Sequence, residues 1–456
     1  MRDHPETPAG GRVARDHLDR LRKAALKEEI LGLREHPPAD PETVPVAAPR
    51  ARFRREFFGG EGYQPINDQR TRLTYLDVAI LGAIDGHRTV DEIATALARS
   101  PNAQDAGPDK VRDSVKRLVR GSLLRWSTIR RPDRVVRLEA YEEGDGSKDR
   151  LSSPINVLWE PTLHCNLFCG FCYNSSGPKA ERGQRLTDAI DQFAESGAFQ
   201  LTIIGGEPLM MPEFFDLVHR SEGLGISNEF VTNGWFVDEK MVARLLETQI
   251  SQMVVSIDGL EETHDRVRGK QGSFKRAIRA VRLLSEAGFD VNVTACLQRT
   301  NVHEIDALVD CVVEAGACRV KLRPMVAEGR GRDAFDSDGL TIAEVERIQP
   351  TIRKKKEQYR GRASVVHRLA ATEVGVCACD YNPERPGVIA QFKGTCGIGR
   401  LQCYVRVDGG VTPNSTLRDH VLDNIYERPF RQIWQDDSLW ATVRPPNRAG
   451  DGVLNF

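Results

Sequence analysis

Three cysteines fall within one short run, His164-Cys165-Asn166-Leu167-Phe168-Cys169-Gly170-Phe171-Cys172-Tyr173. Thiolates are soft, strong ligands, and three at this spacing suit three corners of a cubane iron–sulfur cluster. No fourth cysteine lies nearby, so one iron would stay open to another ligand. Gly170 lets the loop wrap tightly, and Phe171, just before the last thiol, can cover the cluster. The competing readings are a zinc site and a chance triplet. Structural zinc takes four ligands in paired spacing, and this loop offers three.

Two further groups have chemical character. Gly205-Gly206-Glu207-Pro208 sets a carboxylate after two glycines, which allow close backbone approach. Thr232-Asn233-Gly234 and Ser256-Ile257-Asp258-Gly259 add polar side chains, of which Ser256 can bond a ribose or a carboxylate and Asp258 a ribose or the substrate. For Asp258 the plain alternative is a helix cap.

The elements that must hold these groups are legible as alternating strands and amphipathic stretches. Strands are expected at Ile155–Trp159, Leu201–Ile204, Ser227–Val231, Met253–Ile257, Val291–Ala295 and Arg319–Leu322. Helices are expected at Arg185–Glu195, Pro212–Ser221, Glu239–Thr248, Phe274–Ala287 and Glu304–Ala315. Such βα repetition predicts an α/β fold with a parallel sheet. Each chemical group follows a strand, at the end where barrels of this class carry chemistry.

With 456 residues and a net charge of −1, the chain has room for two or three domains, and its balance points to neither nucleic acid nor an acidic membrane. No apolar run is long enough to span a bilayer, and the first residues are polar, unlike a signal peptide. Ten cysteines without a secretory signal argue for reduced thiols and a soluble cytoplasmic protein. Cys296, Cys311 and Cys318 read as small buried hydrophobes.

Residues 1–51 read as an extension, with a helix over Ala14–Leu33 and then a proline-rich linker. Residues 52–140 predict a winged helix–turn–helix. Short strands at 54–60 and 71–75 precede helices at Leu76–Ile84, Thr89 onward and Val111–Leu118. A wing-like hairpin joins Leu123–Trp126 to Val135–Leu138. Thr89 and Glu92 have capping-box spacing. The third helix carries Lys110, Arg112, Lys116, Arg117 and Arg120, either a solvated face or a surface for an acidic peptide. DNA binding is the other use of such a fold.

The cysteine run, the GGEP phrase and the SIDG phrase together resemble the radical S-adenosylmethionine (radical SAM) superfamily. The resemblance implies a partial (β/α)6 barrel over 152–360 and a [4Fe–4S] cluster on Cys165, Cys169 and Cys172. It further implies SAM held by the open iron with Phe171, Gly205, Gly206, Glu207, Pro208, Asn233, Ser256 and Asp258. A reductant such as flavodoxin or ferredoxin would be needed. The phrase Leu81–Ile93 resembles leader-peptide recognition domains of peptide-modifying enzymes, which add a peptide as an extra strand. Residues 361–456, with Cys396-Gly397-Ile398-Gly399 and Asp408-Gly409-Gly410, resemble a SPASM or twitch auxiliary domain. Asn414 stands where that family has a cysteine, so the full pair of auxiliary clusters is not expected. Cys377, Cys379, Cys396 and Cys403 match the four ligands of one closed auxiliary cluster, with zinc or simple packing as alternatives.

The whole implies a maturase of a ribosomally made precursor peptide, crosslinking side chains oxidatively. His264 reads as a loop anchor. Epimerisation, a sulfatase-type maturase, a small-molecule oxidoreductase and a leader-binding scaffold with an inactive core are the alternatives.

Overall fold

A computed structural model describes residues 43–48, 51–56, 59–64, 69–98, 107–127, 138–139, 151–178, 183, 185–250, 252–367, 399–415 and 417–441. The chain divides into two compact units, 1–148 and 149–456. No helix among the described residues is long and apolar enough to cross a membrane.

In the first unit, β2 (Arg52–Glu56), β3 (Gly59–Gln64) and β4 (Gln69–Leu73) form an antiparallel meander, with β6 (Leu138–Glu139) parallel to β2. Three helices follow β4: α1 (Tyr75–Ala83), α2 (Val90–Ala98) and α3 (Pro108–Arg120). Their ends are set locally. Thr74 and Asp77 cap α1 reciprocally, and Thr89 and Glu92 do the same for α2, as their spacing predicts. Val111, Val115, Leu118 and Val119 bury one face of α3 against Ile80, Leu81 and Ile93.

Most of the second strand of the expected wing hairpin, Val135–Leu138, lies outside the described residues. Among the described residues β5 (Leu124–Ser127) pairs antiparallel with β1 (Val44–Ala47), in the stretch read as linker. Pro45 is tolerated there because, among the described residues, that two-stranded ribbon consists only of edges. Leu138 pairs with Phe53 of β2. The basic face of α3 is also partly spent: Arg112 pairs with Asp91 at 2.8 Å, and Arg117 pairs with the buried Asp77.

The second unit is built on one mostly parallel sheet. β7 (Asn156–Thr162), β8 (Gln200–Gly205), β9 (Ser227–Thr232), β10 (Gln252–Ser256), β11 (Asp290–Leu297), β12 (Arg319–Pro324) and β13 (Ser364–His367) lie side by side in chain order. The connecting helices include α4 (Leu186–Ser196), α5 (Phe214–Gly223), α6 (Glu239–Leu246), α7 (Glu261–Arg268), α8 (Ser273–Glu286) and α9 (Ile305–Glu314), then α10 (Gly331–Asp338) and α11 (Ile342–Gln358). The strands alternate as a covered sheet requires: Val291, Val293, Ala295 and Leu297 join the helix-side core, leaving Asn292, Thr294 and Cys296 on the opposite face. All six expected strands and five expected helices are present within a few residues.

On the far side of β7 the chain returns late. β14 (Gln402–Val405) pairs parallel with β7, and β15 (Gly410–Thr412) and β16 (Asp423–Asn424) continue the sheet antiparallel. α12 (Phe430–Gln435) and α13 (Asp437–Trp440) close over this end. Phe430 meets Phe193 of α4 edge-on at 5.2 Å, and Trp434 donates its indole N–H to the Leu151 carbonyl at 2.8 Å.

A buried polar knot ties β14 to β7. Glu160 accepts two hydrogen bonds from the Arg418 guanidinium at 2.8 and 2.9 Å, one from the Tyr404 hydroxyl and one from Asn174 at 2.9 Å. A carboxylate with no exposure is tolerable only because it is this fully paired.

Candidate functional site

The three cysteines occupy the loop that leaves β7. The loop starts as an isolated bridge between His164 and Gly177, with the Cys165 N–H donating to the Gly177 carbonyl at 3.0 Å. Cys165 and Cys169 are buried beside Leu167, with Phe171 and Cys172 half-buried against them. All three cysteines are free thiols.

Burial pushes Cys165 up to about 11, with the nearby Glu207 carboxyl adding to it. Burial likewise pushes Cys169 up to about 12, against the pull of the Arg268 guanidinium. These thiols would ionise on binding metal, which displaces the proton.

The donor set fits a cluster. The Leu167 N–H (3.4 Å) and the Asn233 amide (3.7 Å) both point at the Cys165 sulfur, and the Asn166 Nδ2 is buried with no partner. Among the described residues no three His, Cys, Asp or Glu side chains converge on a single ion. A cubane asks for less convergence, since each thiolate goes to a different iron.

A second segment grips this loop from behind. After β12 the chain turns at Gly329, which has a positive φ of 53° and where a β-carbon would sit 2.5 Å from the carbonyl oxygens of both Cys172 and Tyr173. Arg330 then donates its backbone N–H to Cys172 (3.0 Å), its Nε to Cys169 (2.8 Å) and its Nη2 to Ser176 (2.7 Å), all to carbonyl oxygens. Its guanidinium lies 3.9 Å from the centre of the Phe168 ring.

The GGEP phrase follows β8 and is stitched to the same loop. Gly206 donates to the Thr162 carbonyl at 2.7 Å, and Glu207 to that of His164 at 2.9 Å. A β-carbon on Gly205 would sit 2.2 Å from the Thr162 oxygen, and one on Gly206 2.1 Å from the His164 oxygen. The glycines therefore let the protein's own cluster loop come close, a different use from backbone approach to a ligand. Pro208 opens a single 3-10 turn, Pro208–Met210, for which Glu207 is the cap.

Glu207 is fully buried and heavily supported. It accepts from the Asn233 N–H (2.7 Å), the Thr232 hydroxyl (2.8 Å) and the Leu209 N–H (3.2 Å). Burial still outweighs those bonds and lifts its carboxyl to about 7. Asn233 links both halves: its backbone holds Glu207, and its side chain reaches Cys165 and, at 2.8 Å, Asn166.

Ser256 ends β10 half-buried. Asp258 is buried and already engaged, accepting from Arg268 Nε at 2.6 Å and from the Cys296 N–H at 2.8 Å. Arg268, 5.6 Å from the Phe171 ring centre, thus brings a fixed positive charge to the cysteines. Arg268 and Arg330 are the site residues that motif reading passed over. Nothing local marked Arg330.

His264 is an anchor, as expected: its Nδ1 accepts the Asp258 N–H at 3.1 Å, and burial lowers it to about 4, keeping the ring neutral. Cys403 lies fully buried in β14, in register with Val157 and within the main apolar core. Cys377, Cys379 and Cys396 fall outside the described residues.

Comparison with known proteins agrees with this geometry. The Radical SAM superfamily is matched over residues 159–312. The mycofactocin maturase MftC of Mycolicibacterium smegmatis is 30% identical over 323 residues, covering 69% of this chain and 76% of that protein. The AdoMet-dependent heme synthase of Methanosarcina barkeri is 30% identical over 308 residues, covering 65% and 86% respectively. In fold, the chain is similar to Streptococcus suis SuiB bound to the precursor peptide SuiA, with a TM-score of 0.61, 16% identity and coverage of 88% of this chain and 91% of that one. With three thiols, a buried carboxylate and a mostly parallel sheet arranged in this way, the chain belongs to the radical SAM superfamily.

Proposed function

We propose that this enzyme is a peptide maturase that crosslinks side chains of a ribosomally made precursor. One observation carries the reading: the thiol loop and its Glu207 partner share a chain with a first unit that offers an open sheet edge. Among the described residues β4 is an edge of its sheet, and the α3 C-terminal Gly121 lies against Thr71 of that strand. An extended leader can add to such an edge. Lys110, Lys116 and Arg120, which make no ion pair among the described residues, supply positive charge on the neighbouring helix. The similarity to peptide-bound SuiB supports this, because it covers 88% of this chain, more than the second unit alone contains.

Leader capture by residues 52–140, joined by the β1 strand, raises the local concentration of the core peptide at the catalytic unit. Cys165, Cys169 and Cys172 would hold three corners of a [4Fe–4S] cluster. With SAM bound, that group supplies a 5′-deoxyadenosyl radical able to take hydrogen from an unactivated carbon. Glu207 receives the SAM ammonium, and Asn233 fixes Glu207 and the cysteine loop in one frame. Arg268, pinned by Asp258, offsets the negative charge of the thiolates. Ser256 stands at the strand end where the ribose or carboxylate would lie. The substrate loses two hydrogens in all, and an auxiliary cluster on Cys377, Cys379, Cys396 and Cys403 would accept the electron left after ring closure. The reduced cytosol suits these thiols.

The test is anaerobic co-expression with any short precursor found encoded beside the gene, followed by tandem mass spectrometry. A loss of two hydrogens mapped to two side chains supports crosslinking. An unchanged mass with SAM consumed points to epimerisation. The heme synthase relative makes a tetrapyrrole substrate the second reading; turnover there that is indifferent to deleting residues 1–148 would favour it.

A further inference from the structure

We infer that Lys321 and Arg323, on the face of β12 turned away from the helices, form a carboxylate subsite that selects the reacting segment of the peptide. The inference deepens the peptide reading above and rests on it. The segment that reacts carries an aspartate, a glutamate or its own C-terminal carboxylate close to the carbon that is attacked.

The strand itself shows that this face is not ordinary core. β12 reads Arg319-Val320-Lys321-Leu322-Arg323-Pro324, with the charged residues half-buried and those between them buried. Val320 and Leu322 join the helix-side core. A parallel strand packed against apolar groups on both faces is apolar throughout. This one is apolar on one face only. Three cations in a row are stable on the other face beside water or anions, not against hydrocarbon.

Pairing places these charges relative to the site. Thr294 stands opposite Lys321 and Cys296 opposite Arg323, while Ser256 stands opposite Thr294 on the other side of β11. Neighbouring strands lie about 4.8 Å apart, so Ser256, Thr294 and Lys321 form one row across the sheet. A second row, nearer the strand ends, holds Asp258, Cys296 and Arg323, with the Cys296 N–H donating to Asp258 at 2.8 Å. That row continues to the cysteine loop through Arg268, which grips Asp258 at 2.6 Å. Burial pushes the Cys296 thiol well up and the Asp258 charge adds to it, while the Arg268 and Arg323 guanidiniums both pull it back. Arg323 therefore acts on the same residues that Arg268 and Asp258 tie to Cys169.

The charge on this face is lopsided, and its geometry suits one kind of anion. On β10 and β11 the same face leads up to Asp258, held by Arg268, and begins with Asp290, at the opposite end of its strand from Cys296. Lys321 and Arg323 are two positions apart on one face, about 7 Å along the strand. A guanidinium fork takes a carboxylate through two parallel hydrogen bonds, and an ammonium on the same side can add another. A ribosomal peptide offers that anion as Asp, Glu or its C-terminus. Holding it one strand from Cys296 restricts which neighbouring carbon of the peptide can face the site, which is how a binding contact becomes regioselectivity.

The test compares the full chain, reconstituted with iron and sulfide, with its Lys321→Gln/Arg323→Gln variant. A Lys321→Arg/Arg323→Lys form keeps both charges, and Arg323→Gln alone carries the comparison if the double glutamine form does not fold. Saturation-transfer NMR with glutarate, against uncharged glutaramide, reads the subsite without any peptide. The glutamine variant should bind glutarate about tenfold or more weakly than the wild type and the charge-keeping form, the value of one or more charge-assisted hydrogen bonds. Affinity selection then uses pools of random hexapeptides, acetylated at the N-terminus and either free or amidated at the C-terminus. Enrichment of Asp or Glu from the amidated pool assigns a side-chain carboxylate, and preference for the free pool assigns the C-terminus. Either preference should be lost in the glutamine variant. Equal glutarate binding by all forms overturns the subsite, and so does an acid preference that persists in the glutamine variant, which would belong elsewhere, such as α3. Equilibrium dialysis should find SAM affinity unchanged; a parallel loss of SAM would assign the two cations to its carboxylate and overturn the substrate role. Glutarate binding as expected, with no peptide retained from any pool, would sink the peptide reading and leave the carboxylate subsite standing.

Discussion

Replacing Arg330 by alanine should loosen the cysteine loop without touching a cysteine. The guanidinium makes two hydrogen bonds to main-chain carbonyls, at 2.8 Å to Cys169 and 2.7 Å to Ser176, and stacks on Phe168 at 3.9 Å. Each bond from a charged donor is worth about 1.5 kcal/mol at this half-buried position. The ring contact adds about 0.5 kcal/mol at an exposed aromatic. Allowing for partial rescue by water, the local opening free energy of the loop should fall by about 3 kcal/mol. Local opening governs amide exchange, and about 1.4 kcal/mol is a factor of ten, so peptides spanning 164–177 should exchange roughly a hundredfold faster. Hydrogen–deuterium exchange on the cluster-free protein reads this directly, with peptides of β10 and β11 as internal references. Arg330→Lys keeps the charge but loses the two-pronged geometry, and should fall between the two. Unchanged exchange over 164–177 in the alanine variant would refute the idea that this side chain holds the loop. Equal acceleration everywhere would show a fold-wide defect instead.

Glu207→Gln should weaken SAM binding by about 10- to 100-fold, the value of one charge-assisted contact. Because burial holds the wild-type carboxyl near 7, the proton neutralises it below that pH and SAM affinity should decline as pH falls through 7; the glutamine variant should show no such slope, by equilibrium dialysis. Arg418→Met leaves the buried Glu160 carboxylate without its main counter-charge and should cost about 3–5 kcal/mol, or roughly 10 °C in melting temperature. Adding Glu160→Gln should recover much of that loss, and calorimetry showing no recovery would mean that packing, not charge, was disturbed. Iron analysis of the Cys165→Ala/Cys169→Ala/Cys172→Ala variant should still find about four irons per chain if one auxiliary cluster is present, and none if the C-terminal cysteines only pack.

The catalytic unit was legible because its signals are local. Val, Ala and Leu at alternate positions in 291–297, or an unbroken run such as Met253-Val254-Val255, mark covered strands whatever lies beside them. The cysteine spacing and the GGEP phrase were equally local, and strand ends told where they belong. What escaped depends on partners far along the chain. Nothing around Arg330 reveals that its guanidinium reaches carbonyls 154 to 161 residues earlier. Leu123–Trp126 shows a strand but not whose, and Val44–Ala47, hidden among prolines, proved to be the partner. Of the basic residues on α3, two are spent on Asp91 and Asp77, acids whose distance in space no periodicity encodes.

The late return of β14 to β7 sets a timetable for biosynthesis. Tyr404 is separated from Glu160 by 244 residues, so at about 5–20 residues per second β7 waits roughly 10 to 50 s for the strand beside it and for the arginine that neutralises its carboxylate. Throughout that interval the strand leading into the cysteine loop has an open flank, and open flanks recruit other chains. Iron delivered to the nascent polypeptide would meet a loop whose root is half-built. Maturation of the metal site is therefore best timed after chain release, and a truncation before residue 402 should yield a product that fails in solubility before it fails in chemistry.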